Sequence, residues 1–76
     1  MSNVSLAHLG KAIKIIRLEK DIKQNTFSEK TGMSAGFICQ IESGKRTPTV
    51  EKIFLIAEAL GVQPSELFLK AEHYAE

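Results

Sequence analysis

At 76 residues the chain has room for one small domain, and a single hydrophobic core is marginal at this length, so oligomerisation is expected. Hydrophobic residues make up 43% of the chain and charged residues 25%, which excludes a disordered protein, and no apolar run approaches the roughly 20 residues of a membrane span. The single cysteine, Cys39, excludes an intrachain disulfide, and the lack of an apolar leader predicts a cytoplasmic protein.

The charges divide unevenly along the chain. Residues 1–50 contain eight Lys and Arg against four Asp and Glu, whereas residues 51–76 contain two against five. A polyanionic partner would be attracted to the first part, which leaves the acidic part free to face elsewhere. The alternative is that these charges only solvate helix surfaces, which explains individual residues better than it explains the division.

The first predicted helix follows a polar arm, residues 1–5, that shows no periodic pattern. Apolar residues then recur every three or four positions, which predicts a helix from Leu6 to about Lys20 with Ser5 as its N-cap. Arg17 is next to the apolar stripe of this helix. Its guanidinium therefore needs a carboxylate partner, because an unpaired buried charge costs several kcal/mol.

Two short helices joined by a glycine turn are predicted in the centre of the chain. The first runs from about Gln24 to Thr31 and stops at Gly32, which can adopt the left-handed conformation that ends a helix. The second is capped by Ser34 and ends at Gly44. Two helices joined in this way form a helix-turn-helix, whose second helix is shaped to enter a DNA major groove.

Two further helices complete the prediction. The fourth begins at Thr49 or Val50, and the fifth is a short helix that starts near Pro64. The polar residues 70–76 are predicted to be a flexible tail, so the core covers about residues 6–69. No alternation typical of strands occurs. The predicted fold class is all-α, a single domain of five helices with a central helix-turn-helix.

Several short motifs follow one another between Leu9 and Phe68. They are Ile13-x-x-x-Arg17, Gln24 opening the second helix, Gly32-Met33-Ser34, Ile38-x-x-Ile41-Glu42-x-Gly44, a basic loop ending at Pro48, and Leu60-Gly61-Val62 before Leu67-Phe68. This order resembles the phage repressor and Cro type of helix-turn-helix protein, the Xre family. The size is also similar to that of the controller proteins of restriction-modification operons, although many stand-alone regulators share it.

The resemblance implies a five-helix, repressor-like DNA-binding domain that belongs to a transcription regulator. We expect this regulator to act as a homodimer on a roughly palindromic operator, because two recognition helices would read half-sites about 34 Å apart. The resemblance also implies an ion pair between Arg17 and Glu42, which would tie the first helix to the third. Three positions outside the base-reading face depart from the family pattern: Lys23 replaces the usual Ser or Thr cap, Ser28 the usual Ala, and Thr31 the usual Leu. A less apolar seam between the second and third helices is expected from the last two.

The face of the third helix opposite Ile38 and Ile41 is predicted to meet the bases. It consists of Ala35, Gly36, Cys39, Gln40 and Ser43. Gln40 is the strongest reader, because its carboxamide can donate to and accept from adenine, whereas Ala35 and Gly36 offer almost no functional groups. Specificity is therefore expected to come partly from DNA shape and from the basic loop.

Phosphate contacts are predicted at the start of the second helix, at the cap of the third and in the basic loop, from Lys23, Gln24, Asn25, Ser34, Lys45 and Arg46. Apolar residues that the predicted helices do not hide are expected to form the dimer contact: Phe54, Leu55, Leu67, Phe68 and Leu69.

Other chemistry is not indicated. His8 and His73 are too far apart in sequence to suggest a metal site, no phosphate loop or poised nucleophile occurs, and no cofactor or small-molecule ligand is predicted. Cys39 is interpreted as a small packing residue rather than a redox sensor, because no second cysteine exists. The alternative to a DNA-binding regulator is a protein-interaction module on the same fold, with weak or absent DNA binding.

Overall fold

Five helices form the part of the chain that the structure describes: α1 (Leu6–Glu19), α2 (Gln24–Thr31), α3 (Ala35–Glu42), α4 (Val50–Leu60) and α5 (Pro64–Ala75). The computed structural model describes residues 4–75, and within that range no strand occurs. The predicted all-α fold class is confirmed. Of the predicted N-terminal arm, residues 1–3 lie outside the described part, whereas Val4 packs against the core.

The helix ends agree with the local sequence signals. Ser5 and His8 form a reciprocal capping box at α1, and Thr49 caps α4 by accepting the Lys52 amide hydrogen at 3.2 Å. Gly32 ends α2 in the left-handed conformation, with φ of 75°. Because these interactions are local, the positions of the first four helices follow from the sequence to within a residue or two.

The core lies where α1 crosses the other helices, and α1 packs most extensively against α5 and α3. Its largest fully buried side chains are Phe27, Ile13, Ile38, Ile41, Ile56, Leu60 and Leu67. Each such side chain contributes about 1.5–3 kcal/mol when it is removed from water. Two of the seven, Ile38 and Ile41, belong to α3, so the core fixes the orientation of that helix.

Close approach between α1 and α3 depends on Gly10. A β-carbon at Gly10 would lie 2.3 Å from the carbonyl oxygen of Ile41 and 2.7 Å from that of Glu42, far inside contact distance. The backbone at the end of α3 therefore rests directly on α1. The periodicity of α1 did not reveal this role, because a glycine on an apolar stripe looks like a gap in the pattern.

The prediction of a flexible tail over residues 70–76 was wrong for the described part. Helix α5 continues to Ala75, Ala71 is fully buried, and Tyr74 packs against the core. Lys70 also pairs with Glu19 of α1 at 3.1 Å. The polar residues of this segment had hidden the spacing of three between Ala71 and Tyr74, which places both against α1.

The prediction that Leu67 forms part of a dimer contact was also wrong. Leu67 is 0% exposed and lies in the core, one helical turn before Ala71. Its neighbours Phe68 and Leu69 point away and are 42% and 63% exposed. Three consecutive apolar residues on a helix cannot share one face, and the sequence did not show which of them faces inward.

The longest helix, α1, has 14 residues. Each helix in the described range is too short to cross a bilayer.

Candidate nucleic-acid interface

The helix-turn-helix is formed by α2, the turn Gly32–Ser34 and α3. Two hydroxyls hold the turn: Thr31 Oγ1 donates to the Phe27 carbonyl at 2.9 Å and accepts the Met33 amide hydrogen at 3.2 Å. The hydroxyl of Ser28 donates to the Met33 carbonyl. The polar side chains of Ser28 and Thr31, which replace the family's usual apolar residues between α2 and α3, are therefore hydrogen-bonded. Their hydrogen bonds join α2 to the turn.

The predicted base-reading face of α3 is solvent-exposed. Ala35, Gly36, Cys39, Gln40 and Ser43 are all exposed, and the opposite side of the helix, with Ile38 and Ile41, is almost fully buried. Ser34 caps α3 by accepting the Phe37 amide hydrogen at 3.1 Å, so its hydroxyl is already engaged. The structure thus brings the five candidate readers together on one accessible surface.

Two cations and an aromatic ring adjoin this surface at Gln40. Arg46 Nε donates to Gln40 Oε1 at 2.7 Å, and the Arg46 guanidinium carbon is 5.1 Å from the centre of the Phe37 ring. Lys52 Nζ is 4.3 Å from the same ring centre. The strongest predicted base reader is therefore bonded to a predicted phosphate-binding residue. Sequence reasoning missed Lys52 and the role of the ring, because they come from separate elements.

An ion pair fastens α1 to the end of α3. Arg17 Nε donates to Glu42 Oε2 at 2.7 Å and Nη2 donates to Oε1 at 3.1 Å, with the side chains only 7% and 5% exposed. Arg17 Nη1 also donates to the Ile22 carbonyl at 2.8 Å. This bidentate geometry satisfies both buried charges, as the resemblance implied. It orients α3 from its C-terminal end.

Gln24 has a different environment from the one predicted. Its Nε2 donates to Glu42 Oε1 at 3.3 Å, and the residue is half-buried. In this structure Gln24 therefore joins the ion pair of Arg17 and Glu42 instead of pointing freely towards a phosphate. Its carboxamide oxygen and backbone amide remain as the groups that a ligand could use.

The other predicted phosphate-binding residues surround the base-reading face. Lys23 and Asn25 are exposed at the start of α2, and Lys45 and Arg46 are exposed in the loop after α3. Lys23 occupies the N-cap of α2 and makes no side-chain capping bond. The first amide groups of α2 are therefore not satisfied by a side chain and are available to an anion.

Comparison with known proteins identifies the family. The helix-turn-helix family model matches residues 13–67, which includes α2, α3 and α4 completely. The chain belongs to this helix-turn-helix family. It shares 34% identity over 59 residues with an uncharacterized HTH-type transcriptional regulator, y4dJ, of Sinorhizobium fredii, covering 78% of this chain and 77% of that protein.

Other helix-turn-helix relatives include controller proteins. Control protein C.MunI of a Mycoplasma species is 33% identical over 64 residues, covering 83% of this chain and 86% of that protein. The crystal structure of the restriction-modification controller protein C.Esp1396I, a tetramer in complex with its natural 35 base-pair operator, superposes with a TM-score of 0.79. Identity is 30%, with 93% of this chain and 92% of that chain covered.

Proposed function

We propose that the protein is a sequence-specific DNA-binding transcription regulator that acts as a homodimer on a roughly palindromic operator. The observation that carries this proposal is the exposed α3 face, on which Gln40 is held by Arg46. A carboxamide is the side-chain group that pairs best with adenine in the major groove, and the guanidinium beside it can bind phosphate. Core packing and the ion pair at Glu42 hold this face in place.

Dimer formation is supported by the apolar surface of α4 and α5. Phe54 and Leu69 are 58% and 63% exposed, and Leu55 and Phe68 are also exposed. Apolar side chains concentrated on two helices favour burial against a second copy. In a symmetric dimer the two α3 helices would enter successive major grooves about 34 Å apart, which explains the expected palindrome.

The relatives support a controller-type role. C.MunI is a control protein and C.Esp1396I is a controller protein that binds its operator. The proposal therefore extends to control of a restriction-modification operon. Such a regulator acts on DNA, and the proposal therefore includes the predicted cytoplasmic location.

The proposal is tested by selecting binding sites from random DNA with the full chain and then measuring affinity for the selected site. Replacing Gln40 by Ala should remove about 1–3 kcal/mol of discrimination at one base pair of each half-site. Replacing Arg46 by Ala should weaken binding to all sequences and reduce the dependence of affinity on salt. It should also lower the preference at the base pair that Gln40 reads, because the guanidinium bonds to the Gln40 carboxamide. Matched controls are Gln63→Ala and Lys70→Ala, because both residues lie outside the candidate interface.

The alternative, a protein-interaction module, is favoured by the exposure of Ala35 and Gly36, which contribute few groups for base recognition. Selection from random DNA separates the two functions. Equal binding to all sequences that salt abolishes would favour the interaction module. Enrichment of one palindromic sequence would favour the regulator.

A further inference from the structure

Phe37 is the only residue of α3 whose side chain joins the core to the cations of the candidate interface in the part of the chain that the structure describes. It is half-buried and packs against the core, and its amide hydrogen bonds to the Ser34 cap. Its ring therefore has a fixed position relative to the base-reading face. Arg46 and Lys52 both approach that ring, at 5.1 Å and 4.3 Å from its centre.

The two cations come from different elements. Arg46 belongs to the loop after α3, whereas Lys52 lies in the first turn of α4. A cation in the first turn of a helix is disfavoured by the helix dipole, and two cations near one ring repel each other. The negative face of the aromatic ring offsets both effects, so it provides a physical reason for the two charges to stay together.

Arg46 links the Phe37 ring to Gln40, the predicted base reader. Because Arg46 Nε donates to Gln40 Oε1, the position of the guanidinium fixes which end of the carboxamide faces the loop. Within residues 4–75, the second lone pair of Oε1 and both hydrogens of Nε2 remain free for a base. A bidentate adenine contact uses both ends of the carboxamide, the oxygen as acceptor and the nitrogen as donor.

We propose that Phe37 is a positioning residue for DNA recognition. It holds Arg46 and Lys52 as a pair of phosphate-binding cations and, through Arg46, sets the orientation of the Gln40 carboxamide. This inference rests on the proposed function. It adds Lys52 to the residues that meet the DNA backbone, and it assigns recognition to a cluster of four side chains in which only Gln40 reads a base.

The test compares Phe37→Leu, which keeps an apolar side chain but removes the ring, with Phe37→Tyr, which keeps the ring. Affinity for the selected site is measured at several salt concentrations, together with the preference at the base pair that Gln40 reads. Phe37→Leu should weaken binding about fivefold per protomer and reduce that base preference. Phe37→Tyr should keep both the affinity and the base preference near those of the wild type. The salt slope should remain near that of the wild type, because both charges are still present.

A second comparison separates positioning from folding or direct contact. In a protein that carries Arg46→Ala and Lys52→Ala, adding Phe37→Leu should cause no further loss of affinity, because the ring then has no cation to hold. An equal loss in that background, or an unchanged or tighter affinity of Phe37→Leu alone, would overturn the inference. Circular dichroism at the assay temperature confirms that each variant is folded.

Failure of this inference is distinguishable from failure of the proposed function. If the wild-type protein selects a site and Gln40→Ala loses base preference, while Phe37→Leu behaves like the wild type, only the positioning role is refuted. If the wild-type protein selects no sequence, the proposed function itself fails, and with it the role of Phe37.

Discussion

The buried ion pair between Arg17 and Glu42 makes the most demanding prediction about stability. Replacing Arg17 by Met keeps the apolar stem but removes the bidentate partner of Glu42. Among the described residues, the Glu42 carboxylate would then keep only the 3.3 Å hydrogen bond from Gln24, and the Ile22 carbonyl would lose the Arg17 donor. Breaking a buried pair from one side costs about 3–5 kcal/mol, because an uncompensated charge stays buried.

This cost is large for a chain of 76 residues. A domain of this size is stable by roughly 4–11 kcal/mol, and each kcal/mol lost lowers Tm by about 4–8 °C. Arg17→Met should therefore lower Tm by at least about 12 °C. Urea unfolding followed by circular dichroism measures the free energy of unfolding, and thermal unfolding measures Tm.

The double variant Arg17→Met/Glu42→Leu provides a check on the reason. With both charges removed, the apolar replacements should recover much of the lost stability, as buried ion pairs replaced by apolar residues often do. The exposed pair of Glu19 and Lys70 is the control, because Lys70→Ala should cost no more than about 1 kcal/mol. A loss below about 1 kcal/mol in Arg17→Met would refute the assignment of a buried, uncompensated carboxylate.

Three further predictions concern the contact between α1 and α3, the hydrogen bonds of the turn, and the dimer contact. Gly10→Ala should cost about 1–3 kcal/mol or more in urea unfolding because its β-carbon meets the α3 backbone, whereas Gly36→Ala, with open space around it, should be neutral or stabilising. Thr31→Val should cost about 1–3 kcal/mol and increase hydrogen exchange at the Met33 amide; unchanged exchange would contradict a role in the turn. Leu69→Lys should give a folded monomer in sedimentation that loses only the stability supplied by the dimer contact, whereas Leu67→Ala should cost about 2–5 kcal/mol; a stable Leu69→Lys dimer would move the interface elsewhere.

Local sequence signals were sufficient for most of the fold. Hydrophobic spacing, the caps Ser5, Ser34 and Thr49 and the left-handed Gly32 act within one or two turns, so they can be recognised without knowing the tertiary structure. The helix-turn-helix and the exposed α3 face follow from them. The partner of Arg17 came from the family resemblance, because the two residues are 25 positions apart.

Other features required the tertiary structure. Whether residues 70–75 form a helix depends on the contact of Ala71 and Tyr74 with α1, about sixty residues earlier in the chain. Which of three apolar residues in α5 is buried depends on how that helix is rotated, and sequence spacing does not determine rotation for a short apolar run.

The candidate interface divides in the same way. The sequence identified Gln40 as the strongest reader and Arg46 as a phosphate-binding cation of the basic loop. The tertiary structure showed the hydrogen bond between Arg46 and Gln40, the Phe37 ring next to Arg46, and the approach of Lys52 from α4. The physical reason is that a helix period reports which residues share a face, whereas contacts between a helix, a loop and the next helix depend on how all five helices pack around one core.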